Sequence, residues 1–135
     1  AEGHHEVVLD LEAVDFLDGL GMANVRRHEM EVADYALRTL TERFGDDLQI
    51  HGPRDVEVRG ATFSLAFRGI HPHDLSQVLD QQNVCVRAGH HCAKPLMRLL
   101  GVTATARASF YLYNDMSDVD ALADALDSSS DIFGF

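Results

Sequence analysis

Long apolar runs are missing from this 135-residue chain. A membrane-spanning helix needs about 20 consecutive apolar residues, and no stretch approaches that, so no membrane is expected as a partner. A secretory leader is not visible either. The opening AEGHHEVVLD is acidic and lacks a basic n-region and an apolar h-region, which makes the cytoplasm the expected compartment. Positive charge is scarce: 11 Lys and Arg stand against 22 Asp and Glu, for a formal net charge of −11. Such a surface repels nucleic acid. Lys94 is the single lysine, and Cys85 and Cys92 are the only cysteines. A reducing compartment disfavours a bridge between them, so both are read as thiols. Internal repeats and low-complexity linkers are absent.

What remains is the composition of one globular domain, 46% hydrophobic and 24% charged. Apolar spacing predicts a first helix from Val7 to Leu20, stopped by Gly19-Leu20-Gly21. Asn24 is placed to cap a second helix that runs to Phe44 and stops at Gly45. LQIHGP (Leu48 to Pro53) and TFSLAF (Thr62 to Phe67) read as strands, the second with Phe63, Leu65 and Phe67 on one face. HPHDLSQVLDQQ opens a helix with proline. NVCVRAG (Asn83 to Gly89) reads as a strand, Pro95 to Gly101 as a short helix, and ARASFYLY (Ala106 to Tyr113) as the last strand. A final helix, capped by Asp115 or Ser117, is predicted to Leu126. Residues 128–135 read as a loosely ordered tail in which Ile132, Phe133 and Phe135 could dock. The fold class expected is α/β, an α+β sandwich whose small, mostly antiparallel sheet is covered by helices on one side. A helix ahead of any strand suits a segment that packs on a larger domain, so residues 1–23 are expected to do so. The Asp-rich segment from Asp115 to Asp131 reads as a solvated helix face rather than a docking patch.

RAGHHCAKPLM, Arg87 to Met97, carries the strongest chemical signal. Arg87, His90, His91 and Lys94 crowd around Cys92, a basic patch in an acidic chain. Thiolate chemistry needs such neighbours. Gly89 permits a turn and Pro95 starts the next helix, so the sulfur reads as reactive and borne on a mobile loop. An inert loop thiol is the competing reading. Cys85, inside the apolar VCV, reads as a small buried hydrophobe. A metal site is disfavoured, because adjacent His90, His91 and Cys92 lack the paired spacing that zinc prefers. His71 and His73 read as helix-start residues, His4 and His5 as exposed terminal residues, and His51 as a strand-end residue. Arg107, between Ala106 and Ala108, has room to grip a carboxylate in a two-bond fork. A salt bridge to one of the many acids is the alternative.

RAGHHCAKPLM together with ARASFYLYN resembles the C-terminal part of the SUF-type (group II) cysteine desulfurases of the class V aminotransferase-like family. The resemblance continues through AVDFLDGLGM, RRHEMEVADYALRTL and GIHPHDLSQVLDQQNVCV, and so spans nearly the whole chain. It implies the C-terminal small domain of a fold-type I pyridoxal-phosphate enzyme, homodimeric when intact. It implies that Cys92 is the nucleophile taking sulfur from L-cysteine as a persulfide, giving alanine. Arg107 would hold the substrate carboxylate, and Arg87 would line the same pocket. The sulfur would pass to an acceptor protein of the SUF system for iron–sulfur cluster assembly. The family's cofactor lysine matches nothing here, since Lys94 sits in the cysteine loop. The chain, residues 1–135, is therefore expected to be one domain of a larger enzyme, to hold no cofactor covalently, and to be inactive alone. A non-enzymatic sulfur carrier or scaffold module and a selenocysteine lyase of the same family are the alternatives. Arg107 argues against the carrier, which has no use for a carboxylate clamp.

Overall fold

A computed structural model describes residues 12–134 of the chain. Five helices and four strands follow one another: α1 Glu12–Leu20, α2 Met22–Phe44, β1 Leu48–His51, β2 Thr62–Phe67, α3 Pro72–Gln81, β3 Arg87–Gly89, α4 Lys94–Leu100, β4 Thr105–Ser109 and α5 Met116–Phe133. The strands form one sheet in the order β1-β2-β4-β3, with every neighbouring pair antiparallel. The expected α+β class is therefore found.

The sheet has two unlike faces because side chains alternate along a strand. Leu48 and Ile50, Phe63, Leu65 and Phe67, and Ala106 and Ala108 point to one side and are buried. There they meet a stripe from α2 (Val32, Ala33, Ala36, Leu37, Leu40, Phe44) and another from α5 (Val119, Leu122, Ala123, Ala125, Leu126), with Leu75 and Leu79 of α3. α5 packs against both α2 and α3. Phe44 meets Phe67 edge-on, and Phe63 meets Phe110 in the same way. The other face is polar. His51 pairs with Ser64, Ser64 with Arg107, and Arg107 with Arg87, so one row of side chains crosses all four strands.

The helix ends follow local chemistry. His71 accepts from the His73 amide ahead of Pro72. Asp115 and Asp118 form a reciprocal capping box at α5. The acids of α5 are engaged rather than merely solvated: Asp124 and Asp127 pair with Arg43, and Asp120 accepts from the Tyr35 hydroxyl. Gly21, not Asn24, precedes α2. It takes φ 81°, while Asn24 donates its side-chain amide back to Leu20 O at 2.8 Å.

Three expectations are corrected. The third strand begins at Arg87 rather than Asn83, because the Val84 amide is used to close α3, on Leu79 O at 3.0 Å. The last strand ends at Ser109 because the Tyr111 amide turns to Asn114 Oδ1. The segment expected as a loose tail continues α5 to Phe133. Its serines satisfy themselves on the helix, Ser129 and Ser130 both donating to Leu126 O, and both are buried. Ile132 and Phe133 stay exposed. Phe135, His4, His5 and the expected start of the first helix at Val7 lie outside the described residues. So does about half of the 1–23 segment, in which α1 ends at Leu20 and α2 begins at Met22.

The long connection between β1 and β2 is held by two arginines. Arg26 donates to the carbonyls of Val56, Glu57 and Arg59 while pairing with Glu29. Arg59, only 7% exposed, donates to Pro53 O and Thr62 O and lies 4.4 Å from the Phe63 ring centre. Burial, and secondarily Arg54, holds its pKa below the usual arginine value, but arginine stays charged at any working pH. Truncating it strands buried carbonyls. Arg59→Ala is expected to lower unfolding stability by about 2–3 kcal/mol, read by urea denaturation. A loss below about 0.5 kcal/mol, the range of ordinary surface changes, would show that the carbonyls find water instead.

Candidate active site

The polar face of the sheet gathers the residues singled out by the sequence. β3 leads straight into a tight turn at His90–Ala93, closed by the Ala93 amide on His90 O at 2.8 Å. Both central residues have positive φ, 54° at His91 and 58° at Cys92. Turns of this hand favour Asn and Gly because a Cβ is strained there. Here the positions carry histidine and cysteine. The cost, roughly 1–2 kcal/mol per residue, is met by local bonds. Cys92 donates its amide to His90 Nδ1 at 3.1 Å, and His91 Nε2 lies 2.9 Å from Thr105 Oγ1. Thr105 is fully buried and shares a face of β4 with Arg107. The segment is a compact, bonded turn. Gly89, with φ 129° and open space where a Cβ would stand, sets its entry.

Arg87 points Nη2 at Cys92 Sγ from 4.0 Å. Arg107 stands directly opposite Arg87 across the β3–β4 ladder. Neither arginine pairs with a carboxylate among the described residues, which removes the salt-bridge reading of Arg107 within them. Cys92, Arg87 and Arg107 therefore share one side of the sheet, and Cys92 is exposed. Three buried atoms lack partners on this face: Arg107 Nε, His91 Nδ1 and His51 Nε2. Buried polar atoms are nearly always paired, so these three set this face apart.

His91 and Thr105 were not picked out by the sequence as a pair; the only signal was the doubled histidine before the cysteine. His91 is held neutral over a wider range than usual, by burial first and then by the charges of Arg107 and Arg87. His51 is pushed the same way by burial alone.

Cys85 corrects an expectation. It is exposed, with Asp80 Oδ1 3.9 Å from its sulfur, because the chain at 83–86 has left the ladder. A cavity of about 210 Å³ opens beside it, lined by Asn83, Ser109, Asn114 and Asp118 among others. No cation lines that cavity, so it suits no phosphate. Pyridoxal phosphate, implied by the resemblance, does not fit the described residues alone. Lys94, the one lysine, is exposed at the start of α4, two residues beyond Cys92. No group of His, Cys, Asp and Glu placed to hold a metal ion occurs among the described residues.

Residues 5–122 match the family model described as Aminotransferase class-V. The chain is 48% identical over 122 residues to a probable cysteine desulfurase of Halalkalibacterium halodurans, covering 90% of this chain and 29% of that protein. It is 48% identical over 121 residues to a cysteine desulfurase of Haloferax volcanii, covering 90% of this chain and 28% of that protein. Among solved structures, the apo cysteine desulfurase of Thermococcus onnurineus superposes with a TM-score of 0.79 at 30% identity, over 86% of this chain and 28% of its own. The cysteine desulfurase CsdA of Escherichia coli in an S-sulfonic acid form gives 0.76 at 30% identity, over 89% and 29%. The chain thus spans less than a third of the length of these relatives.

Two outcomes are expected of the turn. Cys92→Gly should be more stable than Cys92→Ala by about 1 kcal/mol, since glycine relieves the positive φ, and paired denaturation curves read this directly. Equal stabilities would mean that the turn relaxes at no cost. The second concerns pH. His91 and His51 bind protons less readily folded than unfolded, so the unfolded chain takes up more protons as pH falls through roughly 6.5. Stability is therefore full above that pH and is lost as pH falls, levelling off below the folded-state values. His91→Gln should reduce the drop in urea midpoint between about pH 7 and pH 5.5. An unchanged drop would remove His91 as its source.

Proposed function

The chain belongs to the aminotransferase class-V family, and we propose that it is the C-terminal domain of a SUF-type cysteine desulfurase. Cys92 receives sulfur from L-cysteine, and Arg107 holds the substrate carboxylate. The observation that carries this reading is the juxtaposition of an exposed thiol and two carboxylate-free guanidinium groups on one sheet face. A planar guanidinium with its terminal nitrogens open grips a carboxylate in two parallel bonds. That leaves the substrate's sulfur to be directed at the turn, where Cys92 projects beside Arg87.

In the transfer, a bond forms between the substrate sulfur and Cys92 Sγ, and the substrate's carbon–sulfur bond breaks. The electron pair of that bond stays with carbon, which takes up a proton, so the skeleton leaves as alanine and Cys92 becomes a persulfide. Arg87 lies where it can offset negative charge on that sulfur pair. Thr105 and His91 hold the turn in its strained form, so that the exposed sulfur stays beside Arg87. Pyridoxal phosphate, on which the family depends in general, is held by residues outside this chain. The persulfide then passes to an acceptor protein for iron–sulfur cluster assembly, and the parent enzyme is a cytoplasmic homodimer. Phe16 and Leu20, on one side of α1, and Val14 and Met22 near them are exposed apolar residues that suit packing on the larger cofactor domain. A carrier or scaffold module would leave Arg107 idle, and selenocysteine would meet the same groups as cysteine.

In the parent enzyme, Arg107→Ala is expected to cost on the order of 2–5 kcal/mol in cysteine use, and Arg107→Lys to restore only part of it because the fork is lost. Cys92→Ser should bind cysteine but release no alanine. Cysteine titration alongside alanine assay separates the two. Wild-type cysteine binding by Arg107→Ala would remove the clamp from the assignment. The 135-residue chain alone should release no alanine from cysteine.

A further inference from the structure

Arg87 and Arg107 hold more positive charge on one spot than a single carboxylate neutralises. They are direct partners across an antiparallel ladder, where opposed Cα atoms lie roughly 5 Å apart and like charges are unfavourable. Elsewhere the chain pairs Arg26, Arg38, Arg43 and Arg68 with acids, and it has 22 acids to draw on. This pair is left without one among the described residues, with Arg107 Nε buried and unpartnered. The turn's own amides are spent inside it, Cys92 N on His90 and Ala93 N on His90 O. An anion at this spot is therefore held by the guanidinium groups, immediately beside an exposed thiol.

We propose that Cys92, Arg87 and Arg107 form an anion-reading thiol site that takes sulfur directly from a dianionic sulfane donor of the thiosulfate class. The step goes beyond the desulfurase reading and does not rest on it, since neither cysteine nor a cofactor takes part. Cys92 gives up its proton to solvent and attacks the terminal sulfane sulfur. A sulfur–sulfur bond to Cys92 forms. The bond between the sulfane and sulfonyl sulfurs breaks, its electron pair leaving with sulfite. Charge and electrons balance with no further reagent: thiolate and thiosulfate give persulfide and sulfite. The two guanidinium groups bind the sulfonyl oxygens and offset the charge on departing sulfite.

The test uses the 135-residue chain, thiosulfate as donor and no cofactor. Mass spectrometry is expected to show one added sulfur atom on the peptide carrying Cys92, with one sulfite released per sulfur loaded. Cys85→Ser should load as the unmodified chain does. Arg87→Gln and Arg107→Gln should each slow loading about tenfold or more, the scale of a lost charge-assisted contact. Alkylation of Cys92 by neutral iodoacetamide should change far less in the same variants, which shows that the thiol and the fold persist. Three results overturn the proposal: no sulfur on Cys92, loading that ignores both arginines, or an equal loss of iodoacetamide reactivity. The last would mean that the arginines act on the thiol rather than on the anion. None of these bears on cysteine use by the parent enzyme, so the desulfurase reading stands or falls separately.

Discussion

Arg87 and Arg107 face each other across the β3–β4 ladder, and most of the chemistry at this surface follows from that register. An antiparallel pair places opposed side chains on the same side of the sheet. With Phe63, Leu65 and Phe67 committed to the helices, parity sends both guanidinium groups to the uncovered face. The ladder is three pairs long at this edge. A slip of β4 by one residue against β2 would turn Arg107 into the apolar core. Burial of Ala106 and Ala108 on either side of Arg107 is what prevents the slip.

The turn that follows is the second consequence. β3 ends at Gly89, and the chain reverses within four residues to start α4 at Lys94. So short a reversal puts His91 and Cys92 in a left-handed conformation that neither residue prefers. Strain of this kind persists only where neighbours over-determine it. His90 caps the Cys92 amide, and the His91 ring is tied to Thr105 on the strand that also carries Arg107. The position of the sulfur is thus coupled to the strand that bears Arg107. A side chain so placed relies on rigid strands for its geometry, not on the turn itself.

The fold is one-sided. Helices α2, α3 and α5 bury one face of the sheet, and the row His51, Ser64, Arg107 and Arg87 crosses the other. Open sheet faces are ordinary in antiparallel architecture. Unpartnered buried nitrogens on such a face are not. Exposed apolar residues also lie on α1, in a chain that spans under a third of its relatives' length.

Much of this was legible in the order of residues. The helix and strand cores follow from apolar period, because burial of one face repeats at 3.6 or 2 residues whatever the tertiary context. The class of fold followed from the order of those elements, the basic cysteine loop from the residue types around Cys92, and the interest of Arg107 from the family resemblance. Element ends were read less well. Val84 left the sheet to close α3, and the serines of α5 bonded back to Leu126; both are choices between competing hydrogen-bond partners that periodicity does not rank. The sequence by itself determined that Cys92 stands among cations, since those neighbours lie within a few residues of it. Only the tertiary structure decided that Arg107, fifteen residues further on, stands opposite Arg87, that Thr105 anchors His91, and that Cys85 is exposed beside Asp80. Strand register and side-chain parity set these three contacts, and both are settled by how the whole sheet packs on its helices rather than by any local run of residues.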